Sequence, residues 1–93
     1  MMKYKVRSSK QFKKDLKLII RRKYKIELMD KIISLLAAGI PLPERNRDHD
    51  LSGNWIGYRE CHITPDWLLI YKKENDILLL TLSRTGTHSD FNF

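Results

Sequence analysis

The sequence is poor in cysteine, in long apolar runs and in spaced metal ligands, and each shortage removes a class of protein. A single cysteine, Cys61, excludes an intramolecular disulfide framework. No apolar run is long enough to cross a bilayer, and no basic segment followed by an apolar stretch opens the chain as a secretory signal would. We therefore expect a soluble, cytoplasmic protein. The GTG around Gly86 is too short for a phosphate loop. The His and Cys residues lack the spacings of a zinc site, and adjacent Cys61 and His62 point to opposite faces of a strand. That geometry removes one of the two from any shared metal site and argues against a Cys61 nucleophile activated by His62. Cys61 reads as a small core residue.

Acidic residues are scarce in one region above all. Residues 1–25 carry eleven Lys and Arg against one acid, Asp15, while the whole chain has a net charge of +7. The excess is therefore confined to the N-terminal quarter. Such a concentration favours a polyanion, because each cation that neutralises a phosphate releases condensed counterions. An acidic protein, an anionic membrane surface or plain solvation of a helix face would also fit.

With 93 residues we expect one domain spanning residues 1–93. At this size about 60–65% of the unfolded surface can be buried, so a large substrate has to bind on the outside.

Lys3–Arg7 alternates Tyr4 and Val6 with cations, the pattern of a short half-buried strand. Ser8 followed by Gln11 is a capping-box pattern, and Phe12, Leu16, Ile19 and Ile20 then share one helical stripe. Lys10, Lys13, Lys14, Lys17 and Arg21 occupy the other side, three and four residues apart, and could track a phosphate backbone. A second helix is expected over Ile26–Ala38, stopped by Gly39, Pro41 and Pro43. Pro41–Asn54 is a polar loop holding Arg45, Arg47, Asp48, His49 and Asp50. Strand periodicity then marks Trp55–Ile63, Trp67–Lys73 and Ile77–Ser83 as an antiparallel meander, with the first strand added to its sheet. The order strand, two helices, three strands is α+β.

The chemistry-bearing residues gather late in the chain. His49 lies in the polar loop, His62 near a strand end, His88 in the tail, and Asp66 stands four residues from His62 across a turn, close enough to pair with it. A single histidine in such a place is more often a hydrogen-bonded surface residue. Together with the aspartate they suit acid and base work on a phosphodiester. Trp67 is either a base-stacking platform or a core or core-edge aromatic, and Trp55 is expected to be a core or core-edge aromatic.

The run DHDLSGNWIGYRECHITPDWLLIY, followed by LSRTGTHSDF, resembles the YafQ branch of the RelE/ParE toxin superfamily. The resemblance spans most of residues 48–91 and rests on the order and spacing of its motifs. It implies a RelE-like fold, with an N-terminal strand and helical hairpin packed on an antiparallel sheet. It also implies a ribosome-dependent endoribonuclease that cuts messenger RNA in the ribosomal A site, without metal or cofactor, and a cognate antitoxin of the DinJ/RelB kind.

Carried over by position, the family's site falls on His49, His62, His88, Asp66 and Trp67. Its aromatic position falls on Asn92, flanked by Phe91 and Phe93. On this basis His88 is the expected acid, Asp66 with His62 or His49 the base and orienter, and Arg45, Arg47 or Arg59 a phosphate holder. Strand alternation places Arg59 opposite His62, so a structural ion pair fits it as well. Two other functions share some of these features: a non-catalytic RNA- or ribosome-binding module, and a ParE-like toxin acting on gyrase.

Overall fold

The computed structural model describes residues 2–91. β1 (Lys5–Ser8) leads into α1 (Lys10–Arg21) and α2 (Ile26–Ala38). The polar loop then holds β2 (His49–Asp50) between single 3₁₀ turns at Glu44–Asn46 and Gly53–Trp55. β3 (Arg59–Thr64), β4 (Trp67–Glu74), β5 (Leu79–Gly86) and a short α3 (His88–Phe91) follow.

The strands form one sheet in the order β1-β5-β4-β3-β2. The meander is antiparallel, as expected, but β1 pairs with β5 in parallel, so the sheet is mixed. The helical hairpin supplies the long return that a parallel neighbour requires. β4 and β5 are interior strands, which explains the apolar run LLIY and the residues from Leu79 to Leu82, whereas Ile77 and Leu78, expected to open the last strand, are exposed in the turn before it.

One sheet face packs on the helices. Cys61, Trp67, Leu69, Tyr71, Leu80 and Leu82 meet Phe12, Ile19, Met29, Ile32, Leu36 and Ala37 there. Burial raises the pKa of the Cys61 thiol, and neighbouring Asp48 and Glu60 push the same way, which leaves it inert. Among the described residues no helix is long and apolar enough to cross a membrane.

Helix boundaries follow local chemistry. α2 ends at Gly39 in the left-handed conformation, φ 75°, whose N–H reaches back to the Leu36 carbonyl. α1 is capped by Ser9 rather than Ser8, because Ser8 is held in the β1–β5 ladder opposite Leu82. The Ser9 hydroxyl accepts from the Phe12 N–H at 3.0 Å and donates to the Ser83 carbonyl at 2.9 Å. Gln11 instead donates to Asp15. Ile20, expected in the stripe, is 56% exposed.

The buried acid of α1 is the larger surprise. Asp15 receives Arg84 Nε at 2.8 Å, Arg84 Nη2 at 3.2 Å and the Thr85 backbone N–H at 3.1 Å. β1 stops at Leu82 of β5, so this carboxylate occupies the edge that the ladder leaves open.

Replacing Asp15 with Ala would leave the Thr85 N–H without its acceptor and the Arg84 guanidinium without its counter-charge. We expect a loss of about 2 to 4 kcal/mol in unfolding free energy by urea denaturation. A loss below about 1 kcal/mol would contradict this account of the edge.

Candidate active site

On the sheet face opposite the helices, Leu68 and Ile70 are fully buried and form an apolar floor. In register, Leu68 lies between His62 and Gly86, and Ile70 between Glu60 and Arg84. Alternation therefore places Glu60 and His62 on one wall, while the loop and the tail deliver the other groups.

His49 pairs with Glu60 across β2 and β3. Arg47 is left-handed, φ 46°, and its carbonyl accepts the His49 Nδ1 proton at 2.6 Å. A carbonyl can only accept, so Nδ1 carries the hydrogen and Nε2 faces Glu60 Oε1 at 3.5 Å. The same logic fixes His62: Nδ1 lies 3.3 Å from the Pro65 carbonyl and Nε2 3.7 Å from the same Glu60 oxygen. A register shift between His62 and Thr64 frees the His62 carbonyl, which accepts from the buried Asn46 amide at 2.7 Å.

His88 completes the group from the tail. Its Nδ1 bonds Asp66 Oδ1 at 2.7 Å, leaving Nε2 toward the site. Asp66 therefore pairs with His88 and not with His62 as the local spacing suggested. The side-chain bond to His88, then the one from the His88 backbone N–H, hold the Asp66 carboxyl below the usual carboxylate range. The His62 ring stands 6.5 Å from His49 and 5.7 Å from His88, centroid to centroid. Three imidazoles from three segments thus share one surface.

The tail is pinned by Asp90. Its oxygens take a paired contact from Arg22 at 3.0 and 3.2 Å, and Oδ2 accepts the Thr87 N–H at 2.8 Å. Gly86 makes this approach possible, because a Cβ there would lie 2.7 Å from Asp90 Oδ2. Arg22, then the Thr87 N–H, pull the Asp90 pKa down to about 2. The Phe91 ring lies against Arg84, 5.0 Å from its guanidinium carbon. Asn92 and Phe93 fall outside the described residues.

Several candidates stand elsewhere. Trp67 is 2% exposed, with its indole N–H on Thr85 Oγ1 at 2.9 Å and its ring edge-on to Tyr24 at 5.1 Å. It is a core residue and presents no free face for stacking. Trp55 is half-buried at the edge of the sheet's open face. Arg59 donates to Asp48, Asp50 and the Tyr71 hydroxyl, the structural ion-pair role. Burial opposes its charge, but the bonds to Tyr71 and Asp48 prevail and raise its pKa. Tyr71 in turn donates to Asp48. Arg45 and Arg47 are exposed, as are Lys10, Lys13, Lys14 and Lys17.

Glu60 was missed by sequence reasoning. Its side chain is 7% exposed, it backs both His49 and His62, and among the described residues Oε2 has no hydrogen-bond partner. The signal was its two-residue spacing from His62, which puts both on one strand face. Among the described residues, no three His, Cys, Asp or Glu are grouped to hold a metal ion.

Comparison with known proteins places this geometry among bacterial toxins. The family described as "Bacterial toxin of type II toxin-antitoxin system, YafQ" matches residues 4–92. The "mRNA interferase toxin YafQ" of Escherichia coli K12 is 43% identical over 82 residues, 87% of each chain. YafQ in the crystal structure of the E. coli DinJ-YafQ toxin-antitoxin complex superposes with a TM-score of 0.86 at 39% identity, covering 96% of this chain and 97% of that one. A metal-bound toxin from Helicobacter pylori superposes at 0.88 with 37% identity, covering 97% and 98%.

The Asp90 anchor makes a pH prediction with a definite sign. Its folded pKa lies below the ordinary 3.8, so its stabilisation is complete above about pH 4 and is lost as pH falls toward about 2. Asp90→Asn should therefore lower stability at neutral pH and flatten the acid limb of a stability-versus-pH curve between those values. An acid limb identical to that of the unsubstituted protein would contradict the anchor.

Proposed function

The chain belongs to the YafQ family of type II toxin–antitoxin toxins, and from that premise we propose that it is an mRNA interferase, a ribosome-dependent endoribonuclease acting on the message in the A site. The observation that carries the reading is the meeting of His49, His62 and His88, each with Nδ1 facing a fixed acceptor and Nε2 left for chemistry. An RNA- or gyrase-binding surface has no need of three oriented imidazoles.

In the proposed reaction the ribose 2′-oxygen attacks its own 3′-phosphorus, forming a 2′,3′-cyclic phosphate as the bond to the 5′-oxygen breaks. The 2′-hydroxyl proton passes to the His49–Glu60–His62 group, and the leaving 5′-oxygen takes a proton from His88 Nε2. Asp66 orients His88 and stabilises the imidazolium form that donates. Arg84, held by Asp15 beside Ile70, is better placed than Arg45, Arg47 or Arg59 to meet charge gathering on the phosphate. Phe91 against Arg84 is the proposed aromatic contact for the substrate, since Trp67 is buried. The proton transfers use side chains alone and call for no metal. The DinJ-YafQ complex supports a cognate antitoxin as this chain's partner. The exposed row Lys10, Lys13, Lys14 and Lys17 is the proposed contact with ribosomal RNA.

His88→Ala should reduce messenger cleavage in a translating extract by about 10²- to 10⁴-fold, the usual worth of a general acid, with ribosome binding nearly intact. Retained cleavage would sink the assignment. Charge reversal at Lys13, Lys14 and Lys17 should weaken ribosome binding and lower the slope of log affinity against log salt by about 2, at ~0.7 per phosphate contact. An unchanged slope would refute a phosphate-tracking helix.

A further inference from the structure

The open sheet face carries a second depression, of roughly 440 Å³, beyond the histidines and toward β1. Arg7, Trp55, Tyr58, Lys72, Glu74 and Arg84 line it. Strand register shows why they meet. Lys72 pairs with Thr81 and Thr81 with Arg7, one row across β4, β5 and β1. Lys72 lies four residues along β4 from Leu68, the partner of His62, so this row is about 13 Å from the histidines at ~3.3 Å per residue.

The wall of the groove is aromatic and its rim is cationic. Trp55 and Tyr58 pack edge to face, 5.3 Å between centroids at 87°, and Lys72 Nζ lies 5.6 Å from the Tyr58 centroid. Three cations, Arg7, Lys72 and Arg84, and one acid, Glu74, line the groove, with Arg84 also paired to Asp15 beneath. Rings beside cations are what an unpaired base and its phosphate require. Arg84 belongs to both ends: it lines the groove, lies opposite Ile70 of the floor and bears the Phe91 ring. A strand held at the histidines would cover the 13 Å in no more than about four nucleotides, at ~3.4 Å each when stacked and fewer when extended.

We propose that this groove is a second nucleotide subsite, which binds a base and phosphate of the same single RNA strand a few nucleotides from the scissile bond. It rests on reading the histidine end as the cleavage site. Tyr58 and Trp55 hold the base, and Arg7 and Lys72 hold its phosphate. Cleavage then requires an unpaired strand longer than the two nucleotides that flank the broken bond.

The test uses the whole chain with 2′-O-methyl oligouridines of two and six nucleotides, which cannot be cleaved, so that binding is measured apart from catalysis. The hexanucleotide should bind more tightly than the dinucleotide. Tyr58→Ala should cut hexanucleotide affinity by about 5- to 150-fold, the range of one stacked base, and leave the dinucleotide within about twofold. Lys72→Gln and Arg7→Gln, which each remove one positive charge, should each reduce the hexanucleotide salt slope by about 0.7. Unchanged hexanucleotide binding in all three variants, or equal weakening of both lengths, would overturn the subsite. A protein that shows this length dependence but cleaves no message would retain the subsite and lose the nuclease reading. One that cleaves message with length-independent binding would lose the subsite alone.

Discussion

Beyond Leu82 the fifth strand has no strand partner on its α1 side, and the Asp15 carboxylate takes a strand's place there by accepting the Thr85 N–H and two donors of Arg84, Nε and Nη2. The rest of the open face depends on this closure. Thr85 joins Trp67 to the Leu68 carbonyl, so the indole, the floor and the β5 edge are tied at one point. Arg84, once fixed, bears the Phe91 ring. A bare edge at that position would leave an unsatisfied N–H and a loose guanidinium beside the candidate site. The single acid in the basic N-terminal quarter thus ties α1 to the end of β5, while Arg22 at the close of α1 holds the tail through Asp90.

Two carboxylates of opposite character organise the histidines. Glu60 is buried and shared by His49 and His62, whereas Asp66 is exposed and serves His88 alone. In the proposed reaction these two settings divide the tasks, with Glu60 backing the base pair His49 and His62 and Asp66 backing the acid His88. The imidazoles come from a loop, a strand and the tail, and their spacing depends on Arg47, the irregularity after His62 and the Asp90 anchor together. The site is therefore built by packing rather than by any one motif.

What could be read from the sequence was what local chemistry decides. α2 runs over Ile26–Ala38 as its apolar spacing and Gly39 require, and LLIY is an interior strand because no alternation breaks it. The misread features all turn on partners distant in the chain. Ser8 and Ser9 are indistinguishable until the β1–β5 register is known. Asp66 sits four residues from His62, yet a histidine 22 residues away takes its proton acceptor. Trp67 lies in the core because Tyr24, between α1 and α2, and Thr85 of β5 enclose it, while the turn at Gly53–Trp55 leaves Trp55 at the rim of the open face. The resemblance of residues 48–91 to YafQ toxins located the histidines, but it carried no information about Asp15 or Glu60.

The central claim is that the three imidazoles cleave message by attack of the neighbouring 2′-hydroxyl. The most direct test is to map the ends of cellular messages after brief induction of the protein and to determine their chemistry. The account predicts new 5′ ends within translated reading frames, with upstream fragments terminating in 2′,3′-cyclic phosphate. Intact messages, or fragments ending in a 3′-hydroxyl, would contradict it.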